Sequence, residues 1–196
     1  MNAKELQKKY QTMLKAYHID TPLRLVHFFA QIHHESNDFK ILKESLNYSV
    51  QGLLKTFGRH RISEQNARLY GRTITQPANQ EMIANLIYGG EFGKRNLGNN
   101  QIGDGFKFIG RGFKQITGRA NYTLLSKDLR IDFINNPELL EQEPNAMLSA
   151  CWFWKTNKCN SFADKDDVIG LTKKINGGSN GLNERFKLSE NYKKLF

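Results

Sequence analysis

The spacing of apolar residues constrains this chain most, because it is helical along nearly its whole length. Leu6, Tyr10, Met13, Leu14 and Tyr17 fall at i, i+4, i+7, i+8 and i+11, one face of a helix. Thr21 followed by Pro22 reads as an N-cap with proline at N1, where the missing N–H costs nothing. The helix opened there turns Leu25, Phe28, Phe29 and Ile32 inward. Ser63 is a candidate cap for a short helix to about Tyr70. Another helix is predicted from Pro77 to Tyr88, burying Met82, Ile83, Leu86 and Ile87 and ended by Gly89-Gly90. Pro144 opens one through Ala146, Leu148, Cys151 and Trp154. Asp164 is a candidate cap for one that buries Val168, Leu171 and Ile175, and the last carries Phe186, Leu188, Tyr192 and Leu195. The best strand signal is the very short alternation Phe106-Lys107-Phe108. The expected fold class is therefore mainly α, with minimal β structure.

One stretch breaks the helical pattern. Residues 89–112, GGEFGKRNLGNNQIGDGFKFIGRG, are dense in glycine and asparagine. A long irregular segment inside a compact domain is usually a binding or active-site loop, or else disordered. Phe92, Phe106 and Phe108 argue against disorder, so the segment is expected to form the wall of a cleft.

With 196 residues the chain can form one compact domain, or two small lobes around a cleft. At 39% hydrophobic and 24% charged residues it has the composition of a folded protein, which excludes general disorder. The formal net charge of +10 creates a field that attracts polyanions, either nucleic acid or an anionic cell-envelope polymer. Cys151 and Cys159 are too few for a disulfide framework and lack a second Cys/His pair at zinc spacing, so they read as free thiols, one buried beside Trp152 and Trp154. Trp152, Phe153 and Trp154 read as core rather than as a sugar platform. Lys4, Glu5, Lys8, Lys9 and Lys15 interrupt every apolar run between Met1 and Tyr17, so no signal peptide is expected there. No stretch approaches the ~20 apolar residues that a bilayer span needs. The expectation is a product of the producing cell's cytoplasm without integral membrane association.

Glu35 is the first candidate for chemistry. On the helix begun at Pro22, Phe28, Ile32 and Glu35 fall at i, i+4 and i+7, so Glu35 extends the apolar stripe. A carboxyl placed there loses hydration, which is expected to raise its pKa and suit it to general acid catalysis near neutral pH. The structural alternative is a helix-terminal glutamate paired with His33, His34 or a nearby lysine. Acid–base hydrolysis by paired carboxyl groups needs a second one, and Asp38 and Glu44 lie nearby. In one unbroken helix Glu44 would sit ~13.5 Å along the axis and on the opposite face. A shared site therefore requires the helix to end between them, and Ser36-Asn37-Asp38 supplies residues that favour turns.

Gly110-Arg111-Gly112 lies within FIGRGFKQITGRANY (108–122), where two glycines permit close backbone approach. Gln115, Thr117 and Asn121 offer uncharged donors and acceptors that suit sugar hydroxyls, acetamides or a positioned water; internal hydrogen bonding around Gly118 is the alternative. Asn176-Gly177 by itself reads as a turn. No metal or other cofactor is expected, since adjacent His33 and His34 point about 100° apart on a helix.

HFFAQIHHES (27–36), the 108–122 block, NPELLEQEP (136–144), ACWFWKTNKC (150–159) and INGG (175–178) followed by Arg185 resemble family 19 glycoside hydrolases, the chitinases and their phage-type, endolysin-like relatives. That resemblance implies a lysozyme-like, two-lobed helical fold with a central substrate cleft, and residues 1–196 forming one catalytic domain without a separate wall-binding module. It also implies an inverting mechanism in which two carboxyl groups lie ~6.5–9.5 Å apart to admit a water. Carried over by position, Glu35 matches the acid and Thr117 the hydroxyl that helps hold the water. Gln115, Asn121, Tyr122, Asn176 and Arg185 match substrate-binding groups. Glu44, in ESLNYS (44–49), is assigned as the base, with Glu91 and Asp104 as rivals.

The expected activity is hydrolysis of the β-1,4 glycan backbone of peptidoglycan by a monomeric endolysin that reaches the wall after release, with no nucleic-acid partner. The alternatives are a chitinase acting on N-acetylglucosamine polymers, and a catalytically inactive basic glycan-binding protein.

Overall fold

Local capping and the period of the apolar residues together set where each helix begins and ends. The computed structural model describes residues 1–196. In chain order the helices are α1 (Ala3–Lys9), α2 (Gln11–Ala16), α3 (Pro22–Glu35), α4 (Val50–Thr56), α5 (Glu64–Tyr70), α6 (Gln80–Ile87), α7 (Gly90–Leu97), α8 (Asp104–Lys107), α9 (Arg119–Leu129), α10 (Glu143–Thr156), α11 (Asn160–Ala163), α12 (Val168–Asn176) and α13 (Leu182–Lys193), with a 3-10 turn at Pro137–Glu141. β structure is limited to isolated bridges joining Lys43 to Arg111, Ser49 to Arg72 and Arg111 to Ile116. The mainly helical expectation holds. Phe106 and Lys107 belong to α8 and Phe108 caps it, so the short alternation there is not a strand.

The chain folds into two compact units. The first comprises residues 1–42, 112–115 and 140–196; the second comprises 43–111 and 116–139. In the first, α3 supplies the fully buried Phe28 and Phe29, and Trp154 of α10 meets Phe28 edge-on at 5.4 Å. α13 lies along α3, bringing Tyr192 into the same core. Cys151 and Cys159 are both free and both buried there, and Trp152 and Trp154 are core residues. In the second unit Leu46, Leu53, Phe57, Ile62, Ile83, Ile87 and Ile109 form a separate core.

Several predicted boundaries shift for identifiable reasons. The first helix breaks at Tyr10, whose backbone (φ −108°, ψ 20°) leaves the helical range and whose hydroxyl donates to Glu143 at 2.8 Å. Thr21 occupies the N-cap of α3 without a side-chain hydrogen bond, whereas Ser63 does cap α5 by accepting from Asn66 N. α6 starts three residues after Pro77, because Asn79 accepts from Met82 N, and in that register Met82 is exposed while Ile83 and Ile87 are buried. Asp167, not Asp164, caps α12; Asp164 instead pairs with Arg24 at 2.7 Å. Phe186 and Leu195 face outward, whereas Tyr192 is buried and Leu188 packs against the same core.

The glycine-rich stretch is the largest departure. It is not one irregular loop but two helices, α7 and α8, joined by 98–103. Asp104 orders the joint: its carboxylate accepts from the N–H groups of Asn100 and Gln101 at 3.0 and 2.9 Å and from Arg119 Nε at 2.7 Å. A groove of about 580 Å³ does run beside this segment, lined in part by Asn85, Glu91, Lys94, Asn99 and Gln101.

Candidate active site

Glu35 is the last residue of α3, and the chain turns sharply after it. Ser36 Oγ donates to Ile32 O at 2.5 Å and accepts from Phe39 N at 3.1 Å, which competes with helix continuation. Asn37, Asp38 and Phe39 then take φ of 48°, 59° and 61°. Three consecutive left-handed residues without glycine are costly; the Phe39 ring, packed against Phe29, His33 and Phe113, supplies compensating contact. The helix therefore stops between the two glutamates.

Glu35 keeps 15% of its side-chain surface exposed and is held by two cations. Arg185 Nη2 donates to Oε1 at 2.6 Å, and Lys114 Nζ stands 3.7 Å from Oε2, an ion-pair rather than a hydrogen-bond distance. Arg185 also donates to Gln31 Oε1, while Arg185 Nε and Gln31 Nε2 are buried without a protein partner. Burial is the largest single influence and pushes the Glu35 carboxyl up. Lys114, Arg185 and His34 together outweigh it, so the group sits below the usual carboxylate range. The raised pKa expected from the apolar stripe is overturned, because the stripe sets burial and cannot register cations arriving from residues 114 and 185. The alternative of a local partner is met only by His34, which acts on Glu35 from the adjacent position, while the two cations that hold the carboxylate come from distant residues 114 and 185.

Glu44 belongs to the second unit and is half-buried. Its backbone N–H donates to Gly110 O at 2.8 Å, and Gly110 N returns a bond to Oε2 at 3.1 Å. Tyr88 hydroxyl donates to Oε1 at 2.5 Å. Burial, and then the nearby Glu44, push the Tyr88 phenol well above its ordinary range, so it remains a donor. Arg61 lies over the rings of Phe57, Tyr88 and Phe92, fixing the phenol from behind. Two donors thus hold the Glu44 carboxylate in one orientation.

The other predicted residues divide into three kinds. Thr117 and Asn121 lie at the start of α9 in the second unit, where Asn121 Nδ2 donates to Thr117 O at 2.8 Å; Thr117 is half-buried and Asn121 exposed. Gln115, at φ 55°, spends its amide on Ile41 O (3.2 Å) and Gly112 O (3.0 Å), and Asn176 donates to Asn180 O at 2.8 Å, so both brace turns. Tyr122 and Arg185 are buried, with their polar atoms spent on partners inside the fold. Tyr122 is 0% exposed, donates to Ile109 O at 2.9 Å and accepts from Arg111 at 3.1 Å. Arg185 acts on Glu35. Gly112 fits its turn for a steric reason, since φ is 74° and a Cβ would lie 2.9 Å from Ser149 Oγ.

Among the rivals for the base, Asp104 is committed to Arg119 and to backbone N–H groups and is 2% exposed. Glu91 lies on exposed helix surface, 3.3 Å from Arg95. The groove lined by Glu91 contains neither Glu35 nor Glu44. Lys114, Tyr88 and Gln31 also belong to the surroundings of the two glutamates. In the sequence Lys114 offered a signal, a cation flanked by Phe113 and near Ile116 within the 108–122 block; Tyr88 and Gln31 offered none.

A family 19 glycosyl hydrolase domain-containing protein of Haemophilus influenzae is 39% identical over 161 residues, spanning 82% of this chain and 74% of that protein. The chain belongs to glycoside hydrolase family 19. The family model for class I chitinases matches residues 89–178 of this family 19 chain, a span that holds Gln115, Thr117, Asn121, Tyr122 and Asn176 but not Glu35, Glu44 or Arg185. An acidic endochitinase of Petunia hybrida is 31% identical over 105 residues, covering 53% of this chain and 40% of that protein. The chain thus spans under half the length of that plant relative. Chitinase C of Streptomyces griseus shares the fold, with a TM-score of 0.54 at 18% identity over 93% of this chain and 66% of that one.

Proposed function

We propose that this family 19 hydrolase cleaves the β-1,4 glycan backbone of bacterial peptidoglycan, with Glu35 as general acid and Glu44 as general base. The observation that carries the reading is the contrast between the two carboxylates. Glu35 is enclosed with cations that hold and charge-balance it, whereas Glu44 is fixed by neutral donors, Tyr88 hydroxyl and Gly110 N–H. Two carboxyl groups in unlike environments suit separate acid and base roles, and because its cations favour the charged form, Glu35 must take up a proton from a neighbouring group before it acts as the acid. In an inverting step the acid protonates the glycosidic oxygen while the base removes a proton from water attacking the anomeric carbon from the other face. Thr117 is assigned to holding that water, with Asn121 ordering the turn that carries it. The net charge of +10 supports an anionic wall as the substrate.

Chitin is the second reading, favoured by the endochitinase relatives of petunia and tomato. Incubation with purified peptidoglycan and with N-acetylglucosamine oligomers separates the two. New reducing ends from peptidoglycan support the proposal; release from chitin oligomers alone replaces it with the second reading. Glu35→Gln and Glu44→Gln should each abolish turnover, and the products should show inverted anomeric configuration. A retained configuration would remove the assigned pair of roles.

A further inference from the structure

Lys114 occupies an unusual position for an ammonium group. It sits at the turn between Gly112 and Gln115, both at positive φ, with its side chain 11% exposed. The ammonium lies over the Phe153 ring at 4.6 Å and 3.7 Å from Glu35 Oε2. The groups facing this pair are few. Arg185 comes from α13, the Cys159 thiol from the start of α11, and His34 from the turn of α3 that carries Glu35. The thiol, pushed up to about 12 by burial, is neutral. Two cations thus surround one anion in a nearly dry site, and an excess buried charge of that kind is costly. Loss of one proton from Lys114 removes it, and burial already holds the lysine below its ordinary range despite Glu35.

We propose that Lys114 is the proton reservoir of Glu35, an inference that rests on Glu35 being the general acid. In the free protein the proton resides on Lys114 Nζ and Glu35 is a carboxylate. A glycan that covers the pair displaces water and favours the neutral tautomer. The proton moves from Nζ to Oε2, leaving an amine and a carboxylic acid, with Arg185 still bonded to Oε1. The 3.7 Å gap must shorten to hydrogen-bond reach for this, and such distances commonly tighten in the substrate complex. Glu35 then gives its proton to the glycosidic oxygen as the bond to the anomeric carbon breaks. Water supplies its oxygen to that carbon and a proton to Glu44. The cycle closes when Lys114 regains a proton from solvent and Glu44 releases one. Lys114 acts through Glu35 and does not touch the sugar.

The pH profile carries the signature. The neutral tautomer holds the same number of protons as the ion pair, so its population persists above the carboxylate range and fails only when the pair loses its last proton. The test is kcat/KM against pH for wild type, Lys114→Met, Lys114→Arg and Glu35→Gln, on whichever polymer wild type turns over. Lys114→Met should move the alkaline limb to lower pH by at least about one unit, roughly a tenfold loss above the limb. Lys114→Arg should not restore it, because guanidinium keeps the charge but cannot release a proton. A limb that moves to higher pH in Lys114→Met, or a wild-type profile in Lys114→Arg, overturns the proposal, since either is what a mere positive charge would produce. Melting curves establish that each variant is folded, and Lys114→Arg decides alone if the methionine variant is not. If Glu35→Gln stays active, the acid assignment itself fails; if it is inactive while Lys114→Met keeps the wild-type profile, only the reservoir fails.

Discussion

Replacing Arg185 by methionine removes one of the two cations on Glu35 while keeping most of the side-chain volume. The guanidinium is 3% exposed and Glu35 15%, so solvent screens the pair little. Removing one partner of a buried ion pair costs about 3–5 kcal/mol. Lys114 stays 3.7 Å from the other oxygen and absorbs part of the loss, which places the cost near the lower end, about 3 kcal/mol. For a chain of this size, about 2–4 °C per kcal/mol gives a fall in Tm of about 6–12 °C. The dependence on pH follows from the sign of the shift. Glu35 is held below its unfolded value of about 4.3, so its contribution is fully present above that value and lost as pH falls through the lowered folded one. The gap between wild type and Arg185→Met should therefore be widest near pH 7 and narrow below about pH 4. Urea unfolding followed by circular dichroism at both pH values measures it, and in a Glu35→Gln background the same substitution should cost less by about 1–3 kcal/mol. A gap that is equal at the two pH values, or undiminished beside Glu35→Gln, would refute the claim that Arg185 works through the Glu35 carboxylate.

Other substitutions check separate parts of the structure. Tyr122→Phe deletes the hydroxyl joining Ile109 O and Arg111, and should lower stability by about 1–2 kcal/mol in denaturant titration while leaving KM within about twofold, since the ring is 0% exposed. Asp104→Asn loses the charge that ties Arg119 to the 98–103 joint, and should cost about 2–4 kcal/mol by thermal unfolding. Ile83→Ala should cost about 2–5 kcal/mol, whereas Met82→Gln next to it should change stability by under about 0.5 kcal/mol, which checks the register of α6.

The site was legible in proportion to how local its determinants were. Ser36-Asn37-Asp38 identified the end of α3 because a serine hydroxyl competing for Ile32 O is an interaction within one turn. The burial of Glu35 was legible for the same reason, since position along a helix stripe depends only on the 3.6-residue period. Its charge state was not, because it depends on residues some 80 and 150 positions away. The surroundings of Tyr122 were not legible either: its place in the 108–122 block does not show that the hydroxyl is buried, donating to Ile109 O and accepting from Arg111.

By itself, then, the sequence determined a helical chain, where most of its helices lie, and which carboxyls merit attention, because apolar period, caps and turn residues act over a few positions. Tertiary structure alone decided that helices α7 and α8 form within residues 89–112 with their joint ordered by Asp104, that Tyr122 is core, and that Glu35 is an anion held by Lys114 and Arg185. The reason is physical: an ionisable group takes its protonation state from the charges and the water around it, and folding brings those together from distant parts of the chain.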